Sequence, residues 1–211
     1  MNENIDLSKY QDKKLIAFDL YGTCIEHIFG DFKLSRETVK YFKTHPITLE
    51  EFKQKNLESI GKETRVFDDL ILSVKHSIEW ALLFPEVLET LNYIKSKWYK
   101  TAVVSNLSKD YEEPLHRLIP KWNFDYEVLS FDVWAVKPDP KIYEYLKSLS
   151  WVDFKDIVMI WDSLKADVVW SNKVWITPIH LNRDEEWIKE VSKKWIKFIQ
   201  ISTLSDLKEI L

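Results

Sequence analysis

Short apolar runs recur along this chain with helix-like stretches between them, and that alternation narrows the fold more than any other feature. Leu15 to Asp19, Thr101 to Ser105, Tyr126 to Phe131, Ile157 to Ile160, Thr177 to Leu181 and Lys197 to Ile201 are each short and apolar-rich. Runs of that length read as strands buried on both faces. Helical patterns separate them: Pro85 to Lys97, with Val87, Leu88, Leu91 and Ile94 at helical spacing, then Pro140 to Leu149 and Ser163 to Asn172. Strands alternating with helices predict an α/β fold with a doubly wound parallel sheet.

One stretch breaks the rhythm. From about Phe32 to Trp80 the chain is charged and helix-like, with no convincing strand. Ser35-Arg36-Glu37-Thr38 and Thr48-Leu49-Glu50-Glu51 read as helix starts, each with a hydroxyl at the cap and acids in the first turn. The expected organisation is a core from residues 1–30 and 84–211, with 31–83 forming a small helical cap inserted after the first strand.

Composition excludes several classes. A net charge of −4 lacks the basic excess of a general nucleic-acid or membrane-surface binder. No apolar stretch approaches the roughly 18 residues of a membrane span. The polar stretch Met1 to Lys14 has no signal-peptide core. A lone cysteine, Cys24, allows no intramolecular disulfide and fits a reducing cytoplasm. With only His27 nearby, Cys24 lacks the partner a nucleophilic thiol would need.

In open α/β sheets ligands sit beyond the carboxyl ends of the strands. Four segments fall there, in order: Asp19-Leu20-Tyr21-Gly22-Thr23, Ser105-Asn106, Lys137-Pro138-Asp139-Pro140, and Asp162-Ser163 with Asp167. Each has a plain structural reading. Asp19 and Asp162 suit turns or helix caps, Asp167 a solvated helix face, Ser105 and Asn106 a strand-to-helix turn, and Lys137 an exposed loop. Asp139 reads as a turn residue. Carboxylates gathered at neighbouring strand ends repel one another unless a cation lies between them. Asp19, Asp162 and Asp167 offer the hard oxygen ligands that Mg²⁺ prefers, with a backbone carbonyl near Tyr21. A carboxylate can also act as a nucleophile. The five histidines show neither metal spacing nor a triad partner, and the charged run from Arg183 to Glu190 reads as a solvated face.

Together, the four segments resemble the haloacid dehalogenase superfamily over nearly the whole chain. Leu83-Phe84-Pro85-Glu86-Val87 is similar to that family's entry into the helix before its second motif. The resemblance implies Asp19 as nucleophile, Ser105 and Asn106 binding substrate oxygens with Thr23, and Lys137 neutralising the nucleophile and the transferring group. It implies Mg²⁺ held by Asp19, the carbonyl at Tyr21, Asp162 and Asp167. The substrate would be a small anionic molecule. Phosphatases of the superfamily usually carry an acid at the Tyr21 position to protonate the leaving group. Tyrosine, with a reference pKa of about 10, is a poor donor there. The first motif, and Ser105-Asn106, look like the 2-haloacid dehalogenase branch, whose leaving halide needs no proton. Asp162 and Asp167 look like the metal-dependent branch, since the dehalogenases need no metal and carry serine at the position of Asp162. A magnesium-dependent phosphatase leads; a dehalogenase and a non-catalytic binding protein stay open. The cap offers Arg36 and Arg65 as anion partners.

The chain has 10 Trp and 3 Gly, where a typical glycine share of about 7% would give roughly 15. Several tryptophans stand where the resemblance leads one to expect glycine: Trp98, Trp134, Trp161, Trp170, Trp175 and Trp195, with Trp122 and Trp151 as further cases, and Trp80 and Trp187 less clear. Glycine is used for positive φ or close backbone approach, and tryptophan does neither cheaply. The expectation is that UGA encodes glycine in the source and was read here as tryptophan, each ring overpacking its site. The alternative, a tryptophan-rich core, leaves the missing glycines unexplained.

Overall fold

The computed structural model describes residues 7–26, 35–56, 64–163, 175–185, 189–193 and 196–211. Among the described residues seven strands form one sheet: β1 (Leu15–Phe18), β2 (Lys100–Ser105), β3 (Tyr126–Leu129), β4 (Ile157–Trp161), β5 (Thr177–Leu181), β6 (Lys189–Lys193) and β7 (Ile196–Ile201). Their order is β3-β2-β1-β4-β5-β7-β6. Every pairing is parallel except β6 with β7. The sequence gives β6 no strand signal. It begins in the last two residues of the charged run expected as a solvated face, and as an edge strand it needs no continuous apolar pattern.

The described helices are α1 (Ser8–Gln11), α2 (Arg36–Thr44), α3 (Leu49–Lys55), α4 (Thr64–Glu79), α5 (Val87–Ser96), α6 (Glu113–Leu118), α7 (Ser130–Val133), α8 (Pro140–Ser150) and α9 (Leu207–Ile210). None is long and apolar enough to cross a membrane. The third predicted strand ends early, at Leu129, because Ser130–Val133 turns into α7. The predicted helix from Ser163 to Asn172 lies outside the described residues apart from its first position.

Alternation along the central strands builds two cores. Ile16 and Phe18 of β1 join Val158 and Ile160 of β4 on one face. Leu15 and Ala17 join Ile157, Met159 and Trp161 on the other. Both faces are covered, as a parallel sheet requires. Between β1 and β2, α2, α3 and α4 share a separate small core of Phe42, Leu49, Leu70 and Val74. Ser35 caps α2 through the Thr38 amide, and Thr48 with Glu51 forms a full capping box on α3, as their sequences predict. The Asp110 carboxylate accepts the Leu49 amide at 3.1 and 3.2 Å and so ties α3 to the segment after β2. Burial pushes that carboxyl above its ordinary range.

Five described residues have positive φ: Gly22 at 80°, Trp98 at 68°, Trp134 at 57°, Trp151 at 57° and Trp175 at 64°. Left-handed backbone favours glycine, because a Cβ crowds the following carbonyl. The expected overpacking does not occur at these four tryptophans, whose rings point into solvent at 93%, 62%, 93% and 78% exposure. Their burden is in the backbone. Trp80 and Trp122 are exposed without positive φ, so the backbone signature does not extend to them. Trp161 is fully buried, and its Nε1 has no hydrogen-bond partner. Trp170, Trp187 and Trp195 lie outside the described residues.

Candidate active site

β1 lies at the middle of the sheet, with β2 on one side and β4 on the other. The chain runs outward from β1 through β2 to β3 and then crosses back to β4 on the other side of β1, and this reversal opens the crevice where α/β sheets bind ligands. Asp19 is the residue that follows β1, and its amide still donates to Ile160 O of β4 at 2.9 Å. One carboxylate oxygen accepts the Leu20 amide and the Ser105 hydroxyl, both at 2.8 Å. The other accepts Lys137 Nζ at 2.6 Å. The Lys137 side chain is 2% exposed and that of Asp19 16%, so the pair is largely withdrawn from water with one open side.

Asn106 sets the lysine. Its amide nitrogen donates to Lys137 O at 2.9 Å, and its Oδ1 accepts the Lys137 amide at 2.6 Å. These reciprocal bonds fix the backbone from which the ammonium reaches Asp19. The Asn106 side chain is therefore committed to Lys137 through both of its ends, which leaves the expected contact of the Asn106 backbone amide with a substrate oxygen a separate matter. Asp139 caps α8 by accepting the Lys141 amide at 3.0 Å, the turn role its sequence suggests.

Asp162 follows β4, one strand over from Asp19, and is partly exposed. Its backbone carbonyl lies 3.1 Å from Nε2 of His180, a buried residue on β5. Asp167 lies outside the described residues. Among the described residues no group of three or more His, Cys, Asp or Glu side chains could hold a metal. Two carboxylates at adjacent strand ends, with a carbonyl and waters, still fit Mg²⁺, which keeps several waters and takes few protein ligands.

The turn after Asp19 is a tight one. Cys24 and Ile25 amides both donate to Leu20 O, at 2.7 and 2.9 Å. Gly22 supplies the positive φ within it. Thr23 is fully buried, and its hydroxyl has no hydrogen-bond partner among the described residues, so it does not face a substrate as expected. Cys24 is buried, and burial pushes its thiol well above the ordinary range, against any nucleophilic role. The Tyr21 hydroxyl donates to Tyr111 O at 3.1 Å, and burial raises its pKa further. Tyr21 is thus a still weaker acid than a free tyrosine.

Two basic residues at the site escape the sequence. Arg183, expected on a solvated face, donates to Thr23 O at 2.9 Å and to Glu86 at 2.7 Å, and its guanidinium lies 3.4 Å from the Phe84 ring centroid. It pins the turn that follows the nucleophile candidate. Lys43, on α2, is half-buried, and the charges of Asp19 and Lys137 both act on it. Burial lowers its pKa; Asp19 opposes that and Lys137 adds to it. Arg36 and Arg65, the expected anion partners, are exposed. No signal in the sequence separates Lys43 from Lys40 beside it, or Arg183 from an ordinary turn residue.

A central parallel sheet, an aspartate just past its middle strand, and serine and lysine side chains on that carboxylate define a class of hydrolase. The chain belongs to the haloacid dehalogenase-like hydrolases, whose family pattern matches residues 13–169. It is 30% identical over 156 residues to a glyceraldehyde 3-phosphate phosphatase of Methanothermobacter thermautotrophicus, covering 72% of this chain and 69% of that protein. Its fold is similar to that of a 2-haloacid dehalogenase from Pseudomonas syringae pv. tomato, with a TM-score of 0.68 at 19% identity over 94% and 97% of the two chains. It is also similar to an enzyme of the family from Bacteroides thetaiotaomicron in complex with magnesium and inorganic phosphate. There the TM-score is 0.60 at 19% identity, over 83% of this chain and 97% of the other.

Proposed function

We propose that this hydrolase is a magnesium-dependent phosphatase acting on a small phosphate ester, with Asp19 as the nucleophile. The observation that carries the reading is the buried 2.6 Å contact of Lys137 with Asp19 beside a second carboxylate, Asp162, at the next strand end. The phosphatase relative and the magnesium- and phosphate-bound structure support it. In this reading the helices between β1 and β2 form a cap over the strand ends, and the lone Cys24 suits a reducing cytoplasm.

The Lys137 ammonium and the Ser105 hydroxyl orient the Asp19 carboxylate. A carboxylate oxygen attacks phosphorus, the bond to the ester oxygen breaks, and Asp19 carries the phosphoryl group as a mixed anhydride. Water then cleaves that anhydride at phosphorus, releasing inorganic phosphate and restoring Asp19. Lys137 lies where it can also offset charge on the transferring group. Asp19, Asp162, the Tyr21 carbonyl and Asp167 would hold Mg²⁺, which supplies charge neutralisation at the phosphoryl oxygens. The departing alkoxide takes its proton from water, since Tyr21 is a weak acid whose hydroxyl is engaged by Tyr111.

That same tyrosine favours a second reading, a dehalogenase, because halide leaves without a proton. A panel of phosphate esters and 2-haloacids, each with Mg²⁺ and with EDTA, separates the two. The phosphatase predicts phosphate release that EDTA stops and Asp19→Asn abolishes. Halide release that survives EDTA overturns it, and activity on neither class leaves a binding protein.

A further inference from the structure

We propose that Lys43 forms a subsite for a second anionic group, carried on the leaving group of the substrate. This rests on the phosphatase reading and deepens it. α2 packs against α7, four residues before Lys137, and the rings of His45 and Trp134 meet there at 4.8 Å. Phe42 anchors α2 in the small helical core, and the charges of Asp19 and Lys137 both act on the neighbouring Lys43. Lys43 is half-buried and has no hydrogen bond or ion pair with any described residue. A partly desolvated ammonium is costly where no described residue pairs with it, and an arriving anion relieves that cost. Asp19 is not that partner, since its two oxygens are taken by Leu20, Ser105 and Lys137. In phosphoryl transfer the attacking and leaving oxygens lie roughly in line. Ser105, at the end of β2, and Lys137, between α7 and α8, hold the nucleophile, whereas Lys43 comes from the helices between β1 and β2; the subsite assigns that side to the leaving group.

The test compares 2-phosphoglycolate, ethylene glycol bisphosphate and phenyl phosphate on the wild type, Lys43→Met and Lys43→Arg. Lys43→Met should lower kcat/KM for an anionic ester relative to phenyl phosphate by tenfold or more, and Lys43→Arg should restore part of the ratio. The anionic ester that responds tells a carboxylate from a second phosphate. An unchanged ratio overturns the subsite. Calorimetric binding of the same esters to Asp19→Asn protein gives a readout free of turnover. Binding that depends on Lys43 without any wild-type turnover overturns the phosphatase reading and keeps the subsite; binding that ignores Lys43 removes the subsite alone.

An independent observation supports a second inference. We infer that the natural chain carries glycine at Trp98, Trp134, Trp151 and Trp175, encoded by UGA. Among the described residues every positive φ outside Gly22 belongs to a tryptophan. Chance would favour Asn and Asp, the residues that best tolerate this region after glycine. A tryptophan-rich core would bury these rings, yet all four are exposed. Three precede strands: Trp98 before β2, Trp151 before β4 and Trp175 before β5, and at the first two a described helix reverses into the sheet. Trp134 and Trp151 directly end helices, where glycine is the common terminator. Sequencing the gene and mass-mapping peptides of the protein from its native cells tests this. UGA at the four codons with glycine in the native peptides is the expected result. UGG, or tryptophan in the native peptides, overturns it.

Discussion

Replacing Trp98, Trp134, Trp151 and Trp175 together with glycine should stabilise the fold, and the gain follows from the backbone. A left-handed conformation costs an L-residue about 1–2 kcal/mol, and glycine does not bear that cost. Glycine loses more freedom on folding, which returns about 0.4–1 kcal/mol of the gain. The net is roughly 0.5–1 kcal/mol per site, or about 2–4 kcal/mol for four independent turns. Little packing is lost, because Trp98 and Trp151 are each 93% exposed. Trp134 should gain least, since its ring contacts His45. For a chain of this size each kcal/mol moves Tm by about 2–4 °C, so the quadruple variant should melt roughly 4–16 °C higher. Thermal and urea unfolding measure it. Trp122 is the internal control: it is exposed, but lies in a short helical turn without positive φ. Trp122→Gly should leave stability unchanged or lower it. A quadruple variant no more stable than the parent, or a Trp122→Gly gain as large as that of Trp151→Gly, would refute the reasoning.

Lys137→Met should cut phosphate-ester turnover by roughly 10²–10³-fold, the scale of losing one preorganised charge partner, read in steady-state kinetics. Asn106→Ala strips both bonds from the Lys137 backbone and should cost about 1–3 kcal/mol in urea unfolding, with a fall in kcat larger than any rise in KM. Glu86 supplies a pH test. Burial alone would raise its pKa, but Arg183 and backbone amides outweigh that and hold it below the ordinary value of 4.5. Its stabilisation is therefore complete above that value and lost as pH falls through the lower folded pKa. The stability gap between wild type and Glu86→Gln should be open at pH 7 and close in acid; a gap independent of pH would contradict the assignment.

The sheet was legible because its buried strands carry continuous apolar runs, and β1 and β4 each end in the aspartate that the reading singled out. Ser105 and Asn106 were legible for a related reason, lying at or just past the end of β2, whereas Lys137 stood out by its place before the two prolines, with a short helix between it and β3. β6 was not, because an edge strand needs no apolar run. Arg183 and Lys43 were hidden because their roles depend on what folding brings beside them, Thr23 and Asp19, and nothing adjacent in the chain reports that. Thr23 misled in the opposite way. It follows Gly22 in a recognisable motif, yet the turn buries it. Composition did report the turns, since a shortage of glycine is visible before any coordinate is known.

The long reach of Arg183 bears on when the nucleophile becomes usable. Asp19 leaves the ribosome early, but Ser105 follows it by 86 residues and Lys137 by 118, and Arg183 meets the Thr23 carbonyl across 160. Synthesis at about 5–20 residues per second places the two ends of that last contact many seconds apart. Until then the N-terminal segment has neither its charge partner nor its anchored turn. A nascent or prematurely terminated chain thus carries the proposed nucleophile without the contacts that hold it, and these are complete only once Arg183 has been made.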